Sequence, residues 1–347
     1  MAVRNAARSI AVLALAAVLL SALGAWIAWS RLQTPYKGYT GDEQFVTIRA
    51  GAGAGEIVAR LAELQVIEDD RLFRVALWWT GRGRSLQAGE YRFDRPVNAF
   101  EVIDRLARGD VYTRQITFPE GLTIEAMSKL FESHAFGPAS DFLAAARGGD
   151  RIADLDPAAT DLEGYLFPET YALPRTAVAS QLVELMVDRF RQVCDAAMRA
   201  HAREQGLTLR QVVTLASLVE KETARADERP MVAAVYRNRL RIGMPMQADP
   251  TVVYALEKAH RYDGNIRRDD LDVASPYNTY RYPGLPPGPI AAPGKASLEA
   301  ALSPAAIKSL YFVSRNDGSH VFADTLAQHN ANVQRYQVEF FRARRGR

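Results

Sequence analysis

The chain has 347 residues, 48% of them hydrophobic and 24% charged, with a formal net charge of +3. That supplies apolar side chains for about two or three packed domains, and it lacks the large positive excess that marks a nucleic-acid binder. A single cysteine, Cys194, excludes an intrachain disulfide framework, so stability has to come from buried cores.

Ser9 to Ser30 (SIAVLALAAVLLSALGAWIAWS) is 22 residues without a charge, set between Arg8 and Arg31. A helix of that length spans a bilayer. Arg4 and Arg8 precede it, and Trp26 and Trp29 lie at its far end, where indoles favour the headgroup level. The segment reads as a single-pass transmembrane anchor over 9–30 with residues 1–8 cytoplasmic. A cleavable signal peptide is the competing reading, although its apolar region usually runs only about 7–15 residues.

Residues 31–44, opening RLQTPYKGYTGDE, are polar and turn-rich and read as a stalk. A small module follows over 45–115: FVTIRAG alternates like a strand, EIVARLAELQVI has helical spacing, and LQAGEYRF returns to a strand. Phe45 to Gly51 has a weak copy in Gln115 to Gly121, each followed by an amphipathic helix. Modules of this size enclose little volume. Binding or spacing is one expectation for them and plain packing the other.

The third region lies within 116–347, with a core over about 161–340 that opens on DLEGYLFPETY. A helix is expected near 179–203, with Cys194 as a small buried hydrophobe. Pro245, Pro250, Pro276, Pro283, Pro286, Pro287, Pro289 and Pro293 crowd the later connections, which cannot then be helix interior or central strand. Long ordered loops of this kind are usually functional. SLYFVSR and HVFAD read as a hairpin around Asn316, Asp317 and Gly318. The terminal FRARRGR reads as a solubilising end.

LASLVEKETA, Leu215 to Ala224, holds two glutamates on one helix, which Gly206 precedes and Thr208 can cap. Glu220 and Glu222 project about 200° apart, and each follows an apolar stripe, so periodicity does not choose between them. Glu222 is the last residue of its stripe, beside Thr223, whose hydroxyl can reach a carboxyl group. Backed by Leu218 and Val219, it would lose hydration and hold its proton near neutrality, as a general acid needs. The alternative for either residue is an ion pair, for example Glu220 with Arg225.

LASLVEKETA, NRLRIGMPMQADPTVVYAL, SPYNTYRYPGLPPGPIAAPG and LYFVSRNDGSHVFADTLAQHN, in that order, resemble the YceG-like endolytic murein transglycosylases, the MltG family. The resemblance implies an α+β protein with a transmembrane helix, a LysM-like module and a mixed catalytic domain with long proline-rich loops. It places the catalytic glutamate at Glu222. That group would protonate the oxygen between N-acetylmuramic acid and N-acetylglucosamine, then take the C6 hydroxyl proton as a 1,6-anhydro end closes. Such chemistry does not require a second carboxylate to activate water.

Gln247, Tyr277, Asn278 and Thr279 are then expected to bind the glycan, with Tyr277 and Tyr280 available to stack on sugars; loop packing is the alternative for each. Asp249 in QADPT is a further substrate-site candidate, the second acid if the enzyme is a lysozyme-like hydrolase, or a turn cap. A non-catalytic peptidoglycan-binding scaffold is the remaining alternative. His320 and His329 lack metal-site spacing, and neither metal nor cofactor is expected. The implied partners are nascent peptidoglycan strands, the membrane and nearby peptidoglycan synthases, with no nucleic acid. The implied place is the outer face of the inner (cytoplasmic) membrane.

Overall fold

A computed structural model describes residues 2–345, with side chains described for 8 and 10–342. Arg4 and most of the basic C-terminal run thus lie outside the described side chains. The chain divides into two compact units, residues 1–114 with 172–176, and 115–171 with 177–347.

The first unit begins with α1 (Ala2–Gln33), whose stretch Ile10–Gln33 is long and apolar enough to cross a bilayer, with none of its apolar window buried in protein. Strands β1 (Gln44–Ile48) and β2 (Gly89–Phe93) pair antiparallel, Gln44 opposite Phe93 and Ile48 opposite Gly89. Between them run α2 (Ala54–Glu63) and α3 (Asp70–Trp79), and α4 (Ala99–Arg108) follows. The caps are local chemistry: Asp69 accepts from the Arg71 and Leu72 N–H groups, and Asn98 from that of Glu101. Val46, Val58, Leu61, Phe93, Val102 and Leu106 form a dry centre.

The segment expected to be a stalk is built into this unit. Leu32 and Tyr39 join the core, the Tyr39 hydroxyl donates to the Phe93 carbonyl at 2.8 Å, and Tyr36 bridges Val97. Polar composition concealed one buried aromatic side chain, Tyr39, and a backbone bridge at Tyr36.

The chain passes between the units at β3 (Arg114–Thr117) and β4 (Thr170–Leu173), which pair with each other. In the second unit α5 (Ile124–Ser133) and α6 (Ala139–Ala146) lead to the DLEGYLFPETY loop. The helix expected over 179–203 is two: α7 (Ala179–Val193) stops at buried Cys194, and Asp195 caps α8 (Ala196–Glu204) by accepting from the Met198 N–H at 2.8 Å.

At the centre of this unit is α9 (Leu209–Glu222), started by Thr208, which accepts from the Gln211 N–H while the Gln211 side chain returns to the Thr208 N–H. Val212, Val213, Leu215, Ala216, Leu218 and Val219 are all buried, so both stripes of this helix are covered. Around it pack α10 (Arg229–Arg241), α11 (Asp249–Lys258) and α12 (Lys295–Leu302). Pro250, counted above among loop prolines, sits instead in the first turn of α11, where its missing N–H costs no hydrogen bond.

Between α11 and α12 the chain has no element longer than a short 3-10 turn at Arg268–Asp272. Its last part is pinned along α9 at three places: Arg210 donates to the Pro287 carbonyl, the Ile290 N–H to Ser217 Oγ at 3.1 Å, and the Gly294 N–H to Glu220 Oε2 at 3.0 Å. Gly164 of DLEGYLFPETY lies against this strap with φ +81, and a Cβ there would come within 2.4 Å of Pro289. The hairpin β5 (Tyr311–Ser314) and β6 (His320–Ala323) then forms as expected around Asn316 and Gly318, both at positive φ, and α13 (Leu326–Val333) and α14 (Phe340–Arg345) end the described chain.

Candidate active site

The two glutamates of LASLVEKETA separate as their projection requires. Glu220 is nearly enclosed and fully engaged: it accepts from Arg229 at 3.2 Å, Ser297 Oγ at 2.8 Å and the Gly294 N–H. It fastens α10, α12 and the proline strap to α9. Its cation is Arg229, one turn beyond the expected Arg225.

Glu222 closes α9, where groups of α10, α11 and β6 act on its carboxyl. Tyr236 of α10 donates its hydroxyl to Glu222 Oε2 at 3.1 Å, the one side-chain hydrogen bond to this carboxyl among the described residues. Some of the residue remains open to solvent. Protein nevertheless surrounds the carboxyl closely enough that burial, the largest influence, pushes its pKa up to about 7. The Tyr236 hydrogen bond opposes that rise, Asp249 adds to it, and His320 and Arg239 oppose it.

Tyr236 is itself buried, and burial followed by the Glu222 charge holds its phenol well above its usual pKa, so it remains a donor. Arg239 lies one turn further along α10. Its guanidinium donates to the carbonyls of Leu310 at 2.6 Å and Met246 at 2.5 Å, a buried cation satisfied by backbone rather than by a carboxylate. His320 opens β6, its Nδ1 donating to Glu228 Oε2 at 2.6 Å and its backbone N–H to Oε1 at 2.9 Å. Thr223, expected to serve Glu222, turns instead to Glu228 at 3.4 Å and accepts from the Arg225 N–H. Its extended backbone (φ −139, ψ 132) takes the hydroxyl away from the Glu222 carboxyl.

Asp249 begins α11 but does not cap it; the cap position is Ala248, and Asp249 Oδ1 accepts the Tyr280 hydroxyl at 2.5 Å. Gln247, two residues before, holds φ 49, a left-handed conformation unusual for a side-chain-bearing residue. Buried neighbours impose it: the Gln247 N–H donates to the Thr279 carbonyl, the Ala248 N–H to Thr279 Oγ1, and Arg239 grips Met246. The Gln247 side chain is left exposed.

Asn278 and Thr279 turn inward. The Asn278 amide donates to the Leu271 and Val273 carbonyls, both at 2.9 Å, and accepts from the Tyr280 N–H, while Thr279 bonds Thr251 at 2.9 Å. Both shape the loop that carries Tyr280. Tyr277 belongs to another cluster, its ring 4.9 Å from that of Tyr254 and under the Lys258 ammonium. There Glu163, from DLEGYLFPETY, accepts from the Ile124 N–H at 3.2 Å and the Tyr254 hydroxyl at 3.3 Å. Burial, then Asp161, pushes Glu163 up to about 8.

Of the residues singled out from the sequence, Asp249 acts on the Glu222 carboxyl and Gln247 lies two residues before Asp249, whereas Tyr236, Arg239 and the Glu228–His320 pair, which also act on that carboxyl or hold a group that does, were not singled out for it. The signal available for Tyr236 and Arg239 was their i,i+3 spacing, with Arg239 the second residue of NRLRIGMP and Tyr236 two residues before that motif. Among the described residues no group of three or more His, Cys, Asp or Glu could hold a metal ion.

A family model described as the YceG-like family matches residues 46–335. The chain is 29% identical over 330 residues to an endolytic murein transglycosylase of Bacillus subtilis (strain 168), covering 90% of each. It is 26% identical over 327 residues to an endolytic murein transglycosylase of Streptococcus pneumoniae (D39), covering 84% of this chain and 58% of that protein. A crystal structure of a YceG-like protein from Listeria monocytogenes superimposes with a TM-score of 0.58 at 29% identity, covering 84% of this chain and 99% of that one.

Proposed function

The chain belongs to the YceG-like family, and from that premise we propose that it is an endolytic lytic transglycosylase in which Glu222 serves as acid and then as base. The observation that carries this reading is a carboxyl with a pKa of about 7 and one open side, held by a single donor at the end of a buried helix. Protonated Glu222 gives its proton to the oxygen between N-acetylmuramic acid and N-acetylglucosamine as the bond from C1 to that oxygen breaks. The resulting carboxylate takes the C6 hydroxyl proton while the C6 oxygen bonds to C1. The proton count balances and no water is consumed. Tyr236 and Arg239 favour the carboxylate between the two steps, each lowering the pKa of Glu222.

Gln247, Asp249 and Tyr280 are the proposed glycan contacts on the adjoining loop, with Asn278 and Thr279 as its braces. The left-handed backbone at Gln247 supports this, since strained positions persist where packing imposes them and cluster at functional sites. The strand pair of the first unit, β1 and β2 with α2 and α3 between them, supports a LysM-like glycan-binding role, and α1 supports a single-pass anchor with its N-terminus cytoplasmic and the rest of the chain outside. Nascent strands near the synthases would be the substrate.

The test is digestion of purified glycan strands by wild type and Glu222→Gln, with product ends weighed. Anhydro ends, one water lighter than hydrolysed ones, released by the wild type alone support the reading. Hydrolysed ends would instead favour a Glu222–Asp249 hydrolase, the second reading that the influence of Asp249 on Glu222 makes specific. Bound glycan with no product from either protein would leave only a scaffold, and normal product yield from Glu222→Gln would remove Glu222 from the chemistry.

A further inference from the structure

All four tryptophans of the chain, Trp26, Trp29, Trp78 and Trp79, fall in the first unit. Trp29, near the end of α1, has its ring 5.3 Å from Trp79 of α3 and 5.1 Å from Phe100 of α4. Leu32 and Tyr39 join the core of the unit and Tyr36 bridges Val97, so α3 is fastened to the anchor at the height where α1 leaves its apolar stretch. There α3 turns Trp78 (82% exposed), Trp79 (67%) and Val75 (50%) outward.

Helical spacing puts Val75 and Trp79, and Arg71, Val75 and Trp78, on adjoining outward stripes. Arg74 is one turn from Trp78, and Arg84 follows in the next turn, lining with Arg74, Leu77 and Trp78 a surface hollow of about 500 Å³. Arg71 and Arg84 make no ion pair among the described residues, whereas Arg82 is taken by Asp104 and Arg74 has an exposed, longer pair with Asp70 at 3.8 Å. Indole rings edged by arginines are the composition that settles at a lipid headgroup layer, the rings at the boundary and the guanidinium groups reaching outward to phosphates.

We infer that α3 is an interfacial helix: its Val75, Trp78 and Trp79 face, rimmed by Arg71, Arg74 and Arg84, docks on the bilayer that α1 crosses. The inference rests on reading α1 as a membrane span. It makes the first unit a module lying on the membrane surface, with its height and tilt set by two attachments, α1 and α3.

The test uses the full chain with Trp26→Phe and Trp29→Phe, so that Trp78 and Trp79 alone emit, in nanodiscs of phosphatidylcholine and phosphatidylglycerol with or without brominated acyl chains. Expected are blue-shifted emission, loss of most of it with brominated lipid, and weak quenching by aqueous iodide. Red-shifted, iodide-quenched emission unchanged by bromine overturns the inference while leaving the anchor intact. Blue-shifted emission indifferent to bromine also overturns it, because protein would then cover the face. A chain that does not co-purify with the discs overturns both the inference and the reading of α1. If the Phe variant does not fold, the difference spectrum between wild type and Trp78→Phe with Trp79→Phe reports the same emission.

Discussion

Replacing Glu222 with Gln should stabilise the second unit above neutrality while abolishing its chemistry. The folded carboxyl is raised from an ordinary 4.5 to about 7, mainly by burial. Stability from a group raised in this way is fully present below 4.5 and is lost as pH climbs from 4.5 through 7, because the unfolded chain ionises first. The distance between the two values corresponds to about 3 kcal/mol, or about 2 once the open side is allowed for.

Gln keeps an acceptor for Tyr236 and never ionises. The variant should therefore match the wild type near pH 4 and exceed it by about 2–3 kcal/mol at pH 8, which is about 4–12 °C in melting temperature for a unit of this size. The assay is thermal unfolding of the full chain in detergent at a series of pH values, beside glycan digestion at each. Activity should fall by about 10³-fold or more, as expected when the acid and base are one group. An equal stability difference at pH 4.5 and 8, or retained activity, refutes the reasoning.

Tyr236→Phe removes the one hydrogen bond that holds the Glu222 pKa down; the alkaline limb of kcat/KM should move upward by about one pH unit, read from the pH profile of anhydro-end release. Glu220→Ala leaves Arg229 its contact with Glu120 at 3.4 Å but unpairs the Gly294 N–H and the Ser297 hydroxyl, and should cost about 2 kcal/mol in urea unfolding, without moving that limb. Glu163→Gln should flatten a second loss of stability, between pH 4.5 and about 8, raising the unfolding free energy at pH 9 by about 3–5 kcal/mol with anhydro-end release retained; a variant no more stable at pH 9 than the wild type counts against the burial of that carboxyl.

What the sequence made legible was local. The apolar run of α1, the Thr208 cap and the turn around Asn316 and Gly318 depend on neighbouring residues, and each appears as expected. Glu220 and Glu222 were not separable by periodicity because α9 is covered on all sides, leaving an apolar stripe behind both. Their difference comes from partners 9 to 77 residues away: Arg229 and Ser297 for one, Tyr236 for the other. Polar composition misled twice. Asn278 and Thr279 spend their polar atoms on the loop interior, and the polar stretch after α1 contains Tyr39, which bonds Phe93.

Two carboxyls, Glu163 and Glu222, are pushed to near or above neutrality, and a raised pKa alone does not identify the acid. Both of their settings are tied to α11, Tyr254 bonding Glu163 and Asp249 acting on Glu222. Their coordination differs. Glu163 accepts from the Ile124 N–H with both oxygens and from Tyr254 with one, so it holds the start of α5 to the DLEGYLFPETY loop. Donating a proton to a substrate would require it to give up contacts that shape the fold. Among the described residues Glu222 keeps only Tyr236, on Oε2, so that in the proposed reaction Oε1 is left to meet the incoming oxygen. A general acid has to be both protonated at working pH and unoccupied on one oxygen, and between these two only Glu222 meets both conditions.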